Sequence, residues 1–360
     1  MRVERLDAQL LRFPMLASHR DQPDAQMEVL LVTAHAGEHW GLGLTFTVQP
    51  GGGLAVRALV DHVLRPLVVG QHAYHTERLW AAMYQATHRL GRGIAALAIA
   101  AIDMALWDLK ARAAGVPLAD YLGGYRDRVP AYGSGRSSHQ FAVDELVAQA
   151  RAQCAEGLAG VKIRIGARPL AEDLARVRAV REALGPAARL MVDANERYTL
   201  SDALWLAPRL AELGVYWFEE PLDAEHVDAY AVLARQSPVP IAVGEHLQSR
   251  HAFAAYARQG AAHILQPDVA MLGGVTEFLK IAAVADAAGL PIAPHFLHQF
   301  HIHLAAAIPN SLVVEHFPAL DFLFLPEERC EVRAGDMLVP RRPGFGLTPR
   351  PEVVAEYRVP

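Results

Sequence analysis

Three acids stand at equal intervals in the 360-residue chain: 26 residues separate Asp193 from Glu219, and 26 separate Glu219 from Glu245. Each closes or follows a short apolar run, in Leu190-Met-Val-Asp193, Trp217-Phe-Glu219 and Ala242-Val-Gly-Glu245. If one strand and one helix fill each interval, all three carboxylates arrive at the same end of neighbouring strands. Carboxylates that close repel, raise one another's pKa and stay ionised only beside a cation. An all-oxygen ligand set selects a hard octahedral ion, most simply Mg²⁺ with positions left for water or substrate. Other groups end neighbouring runs in the same way. Lys162 and Arg164 share one face of the run 160–165 by its period of two. Gln266-Pro-Asp268 follows the run 263–266, Pro294-His295 follows 291–293, and Glu315 ends 311–315. A single acid at a strand end is as well explained as a solvated loop residue. Three in register, with Asp268 and His295 at the same end, argue for a site. Glu220, next to Glu219, should point away from the cluster and support it from behind.

The elements that must position these groups follow from the hydrophobic beat. From residue 129 onward, apolar runs at 129–133, 160–165, 189–193, 216–219, 241–244, 263–266, 291–293 and 311–315 alternate with amphipathic stretches. Eight strand–helix units predict a closed (β/α)₈-type barrel over 126–322, and no Gly-x-Gly-x-x-Gly opens a helix to favour a dinucleotide-binding open sheet. Residues 1–125 read as an α+β capping domain. A hairpin is expected at 29–34 and 42–48, and helices at 55–67, 75–90 and 95–114. The Pro- and Arg-rich segment 323–360 is expected to pack back on the cap.

Composition narrows the class. With 52% hydrophobic and 20% charged residues the chain is an ordinary globular one. A net charge of −5, from 34 basic and 39 acidic residues, gives no general basic face for nucleic acid or an acidic membrane. The two cysteines, Cys154 and Cys330, cannot build a disulfide framework. Charges among the first seven residues read against a signal peptide, and no apolar stretch is long enough for a membrane span. A cytoplasmic enzyme acting on a small molecule is the expectation.

In combination the motifs spell a family. Asp193-Ala-Asn195, Phe218-Glu-Glu-Pro221, Gly244-Glu245, Gln266-Pro-Asp268 with Gly273-Gly274, and Pro294-His295 resemble the mandelate racemase group of the enolase superfamily. In the first domain, Ala101-Ile-Asp-Met-Ala-Leu-Trp-Asp-Leu-Lys110 resembles the helix that closes that family's cap. The resemblance implies that Asp193, Glu219 and Glu245 bind Mg²⁺ and that His295, paired with Asp268, is a general base. It further implies that Glu315 contacts a substrate carboxylate, that Asn195 belongs to the substrate site, and that the protein is a symmetric homo-oligomer. The chemistry is consistent: abstracting a proton beside a carboxylate makes a dianionic enediolate that needs concentrated positive charge. Three carboxylates around a divalent cation leave one negative charge, a substrate carboxylate makes two, and Lys162 with Arg164 balances both.

One departure redirects the reaction. The racemase pattern has lysine at both positions of Lys-x-Lys, the second acting as a base on the opposite face. Arg164 stands there instead. A guanidinium is a poor base and a good anion clamp. Dehydration needs one base only, and the runs 293–307 and 314–317 resemble the galactarate/talarate dehydratase branch. An acid-sugar dehydratase is therefore the leading expectation, a 2-hydroxy-acid racemase or epimerase the second, and a catalytically silent barrel the third. His19 and Arg20, within 17–26, are candidates for a loop over the site, with His19 touching substrate; the capping loops, 45–53 included, should set specificity. His301-Ile-His303 has the form of a zinc-hydrolase pair but falls within a helical stretch, so a structural or substrate-facing role is expected. Phe296, Phe300 and Phe317 are expected in the core.

Overall fold

The computed structural model describes residues 1–15, 25–48, 50–135 and 139–360. In the cap, the expected hairpin forms as β2 (Gln26–Ala36) and β3 (His39–Val48); β2 is longer at both ends than the pattern showed, and β3 only at its start. A strand missed by pattern, β1 (Arg5–Pro14), pairs antiparallel with β2. Its alternation is broken by two buried neighbours: Leu11 packs into the main barrel-side core and Leu10 into the core beneath the cap helices. Helix α1 (Gly52–Leu59) runs through a π-helical turn at Val60–Leu64 into α2 (Arg65–Val68), followed by α3 (Thr76–Thr87) and α4 (Gly93–Ala113).

Helix α4 is buried on nearly every side because the cap sheet covers one face and the barrel the other. Its buried acids are fully engaged. The Thr276 N–H and hydroxyl donate to Asp103 at 2.8 and 2.7 Å, and the N–H groups of Leu42 and Phe345 donate to Asp108 at 2.7 and 2.6 Å. Burial pushes the Asp103 carboxyl up to about 7 against the Thr276 donors. The Thr276 bonds tie the cap to the barrel, and the Phe345 bond ties it to the C-terminal segment. Close docking of α4 on β3 also explains two glycines: a Cβ on Gly43 would lie 2.0 Å from the Ala101 carbonyl oxygen, and one on Gly41 2.2 Å from that of Ala105. Gly43→Ala is expected to destabilise the protein by about 3 kcal/mol, read as a fall in the urea midpoint. An unchanged midpoint would mean that the helix shifts without cost.

Beyond the short helix α5 (Leu118–Tyr121), the barrel runs β4 (Arg128–Gly133), α6 (Val143–Ala155), β5 (Gly160–Arg164), α7 (Leu170–Leu184), β6 (Arg189–Asp193), α8 (Leu200–Glu212), β7 (Val215–Glu219), α9 (Val227–Gln236), β8 (Ile241–Val243), α10 (Arg250–Gln259), β9 (Ile264–Leu265), α11 (Val275–Ala287), α12 (His298–Ala307) and β10 (Val314–His316). Neighbouring strands are parallel, and β10 pairs with β4, which closes the barrel. Two expectations are corrected. The seventh strand is a single bridging residue, Ile292, between Leu265 and Ser311. The eighth strand is followed by 3₁₀ turns, Pro318–Leu323 and Pro326–Glu328, in place of an α-helix. Pro326 lacks the N–H that a continuing helix would need. The segment after 322 divides: β11 (Val332–Arg333) and β12 (Asp336–Leu338) add antiparallel to β4, whereas α13 (Pro351–Tyr357) leads to the cap, where the Val359 N–H donates to the Leu10 carbonyl at 2.8 Å.

Two of the three histidines of α12, His301 and His303, are structural. His301 accepts the Val269 N–H through Nε2 at 2.9 Å and donates from Nδ1 to the Phe296 carbonyl at 3.0 Å. His303 accepts the Ala119 N–H at 3.4 Å through Nδ1 and donates from Nε2 to Phe345 at 3.1 Å. Each ring is satisfied only when neutral. Burial lowers both pKa values, that of His303 to about 4, from an ordinary 6.5. A depressed folded-state pKa contributes stability that is complete above the unfolded value and lost as pH falls toward the folded one. Melting temperature is therefore expected to fall between pH 6.5 and 4, and to fall less in His303→Gln, which keeps a donor and an acceptor without a titrating ring. Parallel melting curves for the two proteins across that window would refute this.

Candidate active site and metal centre

The parallel register sets Arg164 beside Asp193 and Asp193 beside Glu219 at the strand ends. Glu245 follows β8, and oxygens of Asp193, Glu219 and Glu245 all lie within 4.8 Å of one another. Trp217, two residues before Glu219 and on the same face, donates from Nε1 to Glu219 Oε2 at 2.8 Å, and Gln266 Nε2 donates to the same oxygen at 2.8 Å. Neither was legible as a site residue, although the period of two marks Trp217 and the Gln266-Pro-Asp268 motif holds Gln266. Lys162 lies buried among acids: its Nζ bonds Glu219 and sits 3.0 Å from Glu315 and 3.6 Å from Asp193. Burial works against its charge, and the carboxylates of Glu219 and Glu315 hold the ammonium charged. Burial likewise pushes the Glu219 carboxyl up to about 8; Lys162 opposes the rise, and Asp193, Glu315 and Glu245 add to it.

His295 stands across from this group. Its Nδ1 donates to Asp268 Oδ2 at 3.0 Å, and Nε2 lies 3.3 Å from Glu245 Oε2. Burial alone would lower its pKa, but Glu245 and the Asp268 bond raise it to about 10. The Ala270 N–H in turn fixes Asp268 at 2.8 Å. Directly after His295 the chain takes positive φ at Phe296 (56°) and Leu297 (30°), which turns the Phe296 N–H onto Glu315 Oε2 at 2.6 Å. Burial would raise the Glu315 carboxyl, but Lys162 holds it down, near 2. Strained backbone of this kind persists where the surroundings over-determine it.

The remaining expectations divide. Asn195 (φ 43°) lines the cavity, while its backbone N–H and side-chain amide donate to Asp193 at 3.0 and 3.3 Å, so it also orients that carboxylate. Arg164 reaches the cavity from the end of β5. Glu220 is buried and points away from the trio as expected; His246 Nδ1 donates to it at 2.7 Å. Phe300 is in the core, packed on Phe324 and Phe345. Phe296 is buried in the core as expected and Phe317 packs against it, and both also line the cavity. The cavity, ≈ 590 Å³, is lined on the barrel side by Arg164, Asn195, Glu245 and His295 and walled on the cap side by Phe13, Met15, Met27, Phe46, Val48 and Leu97. His139 and Arg197 also line it and carry no sequence motif. His19 and Arg20 fall outside the described residues.

The donor set fits the implied Mg²⁺. Three converging carboxylates supply hard oxygens, and Lys162 alone does not balance them. Residues 3–123 match the mandelate racemase/muconate lactonizing enzyme N-terminal domain, and residues 145–353 the enolase C-terminal domain-like family. The L-talarate/galactarate dehydratase of Salmonella typhimurium is 34% identical over 334 residues, 91% of this chain and 82% of that protein. The structure of L-talarate dehydratase from Polaromonas sp. JS666, complexed with Mg and L-glucarate, superposes with a TM-score of 0.93 at 38% identity, covering 100% of this chain and 98% of the other. A racemase from Streptomyces coelicolor with bound magnesium gives a TM-score of 0.94 at 34% identity, covering 99% and 100%. Strand ends, acid trio, His–Asp pair and cap thus converge with both family matches, and the chain belongs to the mandelate racemase/muconate lactonizing enzyme family of the enolase superfamily.

Proposed function

We propose that the protein is a Mg²⁺-dependent hydro-lyase that dehydrates an acid sugar, with His295 as its single base. The observation that carries this reading is the asymmetry of the site: a histidine clamped by Asp268 on one side, and Arg164 where a second base would stand. Asp193, Glu219 and Glu245 would hold Mg²⁺, which when bound stabilises the negative charge developing on the substrate carboxylate. Lys162 and Arg164 add cationic donors to that end of the substrate. With the Glu245 carboxylate committed to the metal, its charge would no longer hold the imidazole protonated, so that His295 Nε2 takes the α-proton and the C–H electron pair becomes the enediolate. Asp268 supports the resulting imidazolium. That imidazolium returns the proton to the β-hydroxyl, which leaves as water as the enediolate collapses, and the enol product tautomerises to a 2-keto-3-deoxy acid. The dehydratases of similar sequence favour this reading. A symmetric homo-oligomer, the state that the resemblance implies, is checked by light scattering.

A second reading is favoured by the apolar cap wall. A wall of phenylalanine and methionine suits a 2-hydroxy acid with an apolar substituent better than a fully hydroxylated chain. Such a substrate without a β-hydroxyl could only be racemised. Proton NMR of a panel of acid sugars and 2-hydroxy acids in D₂O with Mg²⁺ separates the two. Under the dehydratase reading only the epimer facing His295 exchanges or loses water. Comparable exchange of both epimers with no dehydration would identify a racemase instead. In the same assay Arg164→Lys is expected to lower turnover about tenfold through loss of the bidentate fork, and to begin exchanging the opposite epimer, because a crowded lysine can shed its proton.

A further inference from the structure

We propose that His298, His316 and Asp321 form a second metal centre, for a borderline transition ion such as Zn²⁺, behind the wall of the substrate cavity. His298 opens α12, His316 ends β10, and Asp321 lies in the 3₁₀ turn Pro318–Leu323. A ligand atom from each lies within 4.8 Å of the others. Two imidazoles and one carboxylate match Zn²⁺ in ligand softness, in contrast to the all-oxygen trio.

The bonding around the three side chains is the kind that holds metal ligands in place. His298 is buried and donates from Nδ1 to the Phe317 carbonyl at 3.1 Å. A metal-binding histidine typically secures its second nitrogen in this way. That bond leaves Nε2 facing Asp321 Oδ1 across 3.3 Å. On a neutral ring two lone pairs would then oppose each other, so a cation must lie there, either a proton or a metal ion. The carboxylate is oriented by Gln299 Nε2, which donates to the same Oδ1 at 2.5 Å. The imidazole of His316, with its ring centroid 4.8 Å from that of His298, brings a third donor that favours a metal. Phe317 and Ala319, between these ligands in sequence, line the cavity. A metal here would rivet the loop after the eighth strand and so fix that part of the wall. The proposal does not depend on which reaction the main site performs.

The test is Co²⁺ substitution in the full-length protein under millimolar Mg²⁺, which keeps the carboxylate trio filled. Four-coordinate Co²⁺ with nitrogen ligands absorbs intensely in the visible, whereas six-coordinate Co²⁺ with oxygen ligands absorbs weakly. The expected result is one equivalent of intensely absorbing Co²⁺, displaced by Zn²⁺ and not by Mg²⁺. The band should vanish in His316→Gln and in Asp321→Asn and persist in Glu219→Gln, where the carboxylate trio is disabled. Weak absorption alone in the wild type, or a band that survives both His316→Gln and Asp321→Asn, would overturn the proposal and leave an ion pair. Since the wild-type spectrum decides by itself, a variant that fails to fold does not protect the idea.

Discussion

His295→Asn is expected to lower kcat by about 10³-fold or more while leaving the far-ultraviolet circular dichroism and Mg²⁺ affinity near wild type. Asparagine can still bond Asp268, so the local structure has a replacement partner, but it offers no lone pair basic enough to take an α-proton. The loss should appear in kcat with little change in KM, since the group acts on the proton and not on the bound carboxylate. α-Proton exchange in D₂O should vanish along with dehydration. Asp268→Asn should be milder, because it weakens the orientation and the charge support of the imidazole without deleting it. If His295→Asn retained exchange at a rate near wild type, the proton would have to leave from the Arg164 side, and the single-base mechanism would fall.

Glu219→Gln carries the second large effect. Trp217 and Gln266 both donate to Glu219 Oε2, so the amide oxygen of a glutamine would stay with them. Its NH₂ would then face the Lys162 ammonium, donor against donor, and one of the three anionic ligands would be gone. Mg²⁺ affinity is expected to fall by about 100-fold or more, beyond what loss of an outer support alone causes, with turnover at background. Titration calorimetry with Mg²⁺ reads the affinity and the same assay reads turnover. Mg²⁺ binding as tight as in the wild type would remove Glu219 from the ligand set.

The groups that form this centre were legible because a strand that ends in an acid leaves two marks: an apolar run and a charge in a fixed place. Asp193 and Glu219 show it best, since their strands are five residues long and each ends on the functional side chain. The seventh strand shows the limit. Residues 291–293 pair only through Ile292, and His295 owes its place less to a strand than to Asp268 and the strained turn at Phe296. Partners far apart in sequence were invisible for the same reason. Nothing near Phe296 announces that its N–H meets Glu315, and nothing in β1 announces that its edge is completed from beyond α13. Phe296 and Phe317 read as core, which they are, but not as cavity wall, because an aromatic side chain reads alike whether it faces another ring or a ligand. The cap wall shares this difficulty: Phe13, Met27 and Phe46 alternate as any buried strand face does.

The pairing of β1 with the far segment has a consequence for biosynthesis. Leu11 bridges Arg358, the Val359 N–H reaches Leu10, and Arg57 in α1 bonds the carbonyls of Val359 and Pro360. Strand β1 is translated long before residues 358–359, and its outer edge stays open until nearly the whole barrel has been made. During that interval an unpaired apolar strand edge is available to other nascent chains. Selection on translation speed and on chaperone capture should therefore act on this protein through β1. Expression hosts that differ in those capacities should differ in soluble yield even when the finished enzyme is equally stable in each.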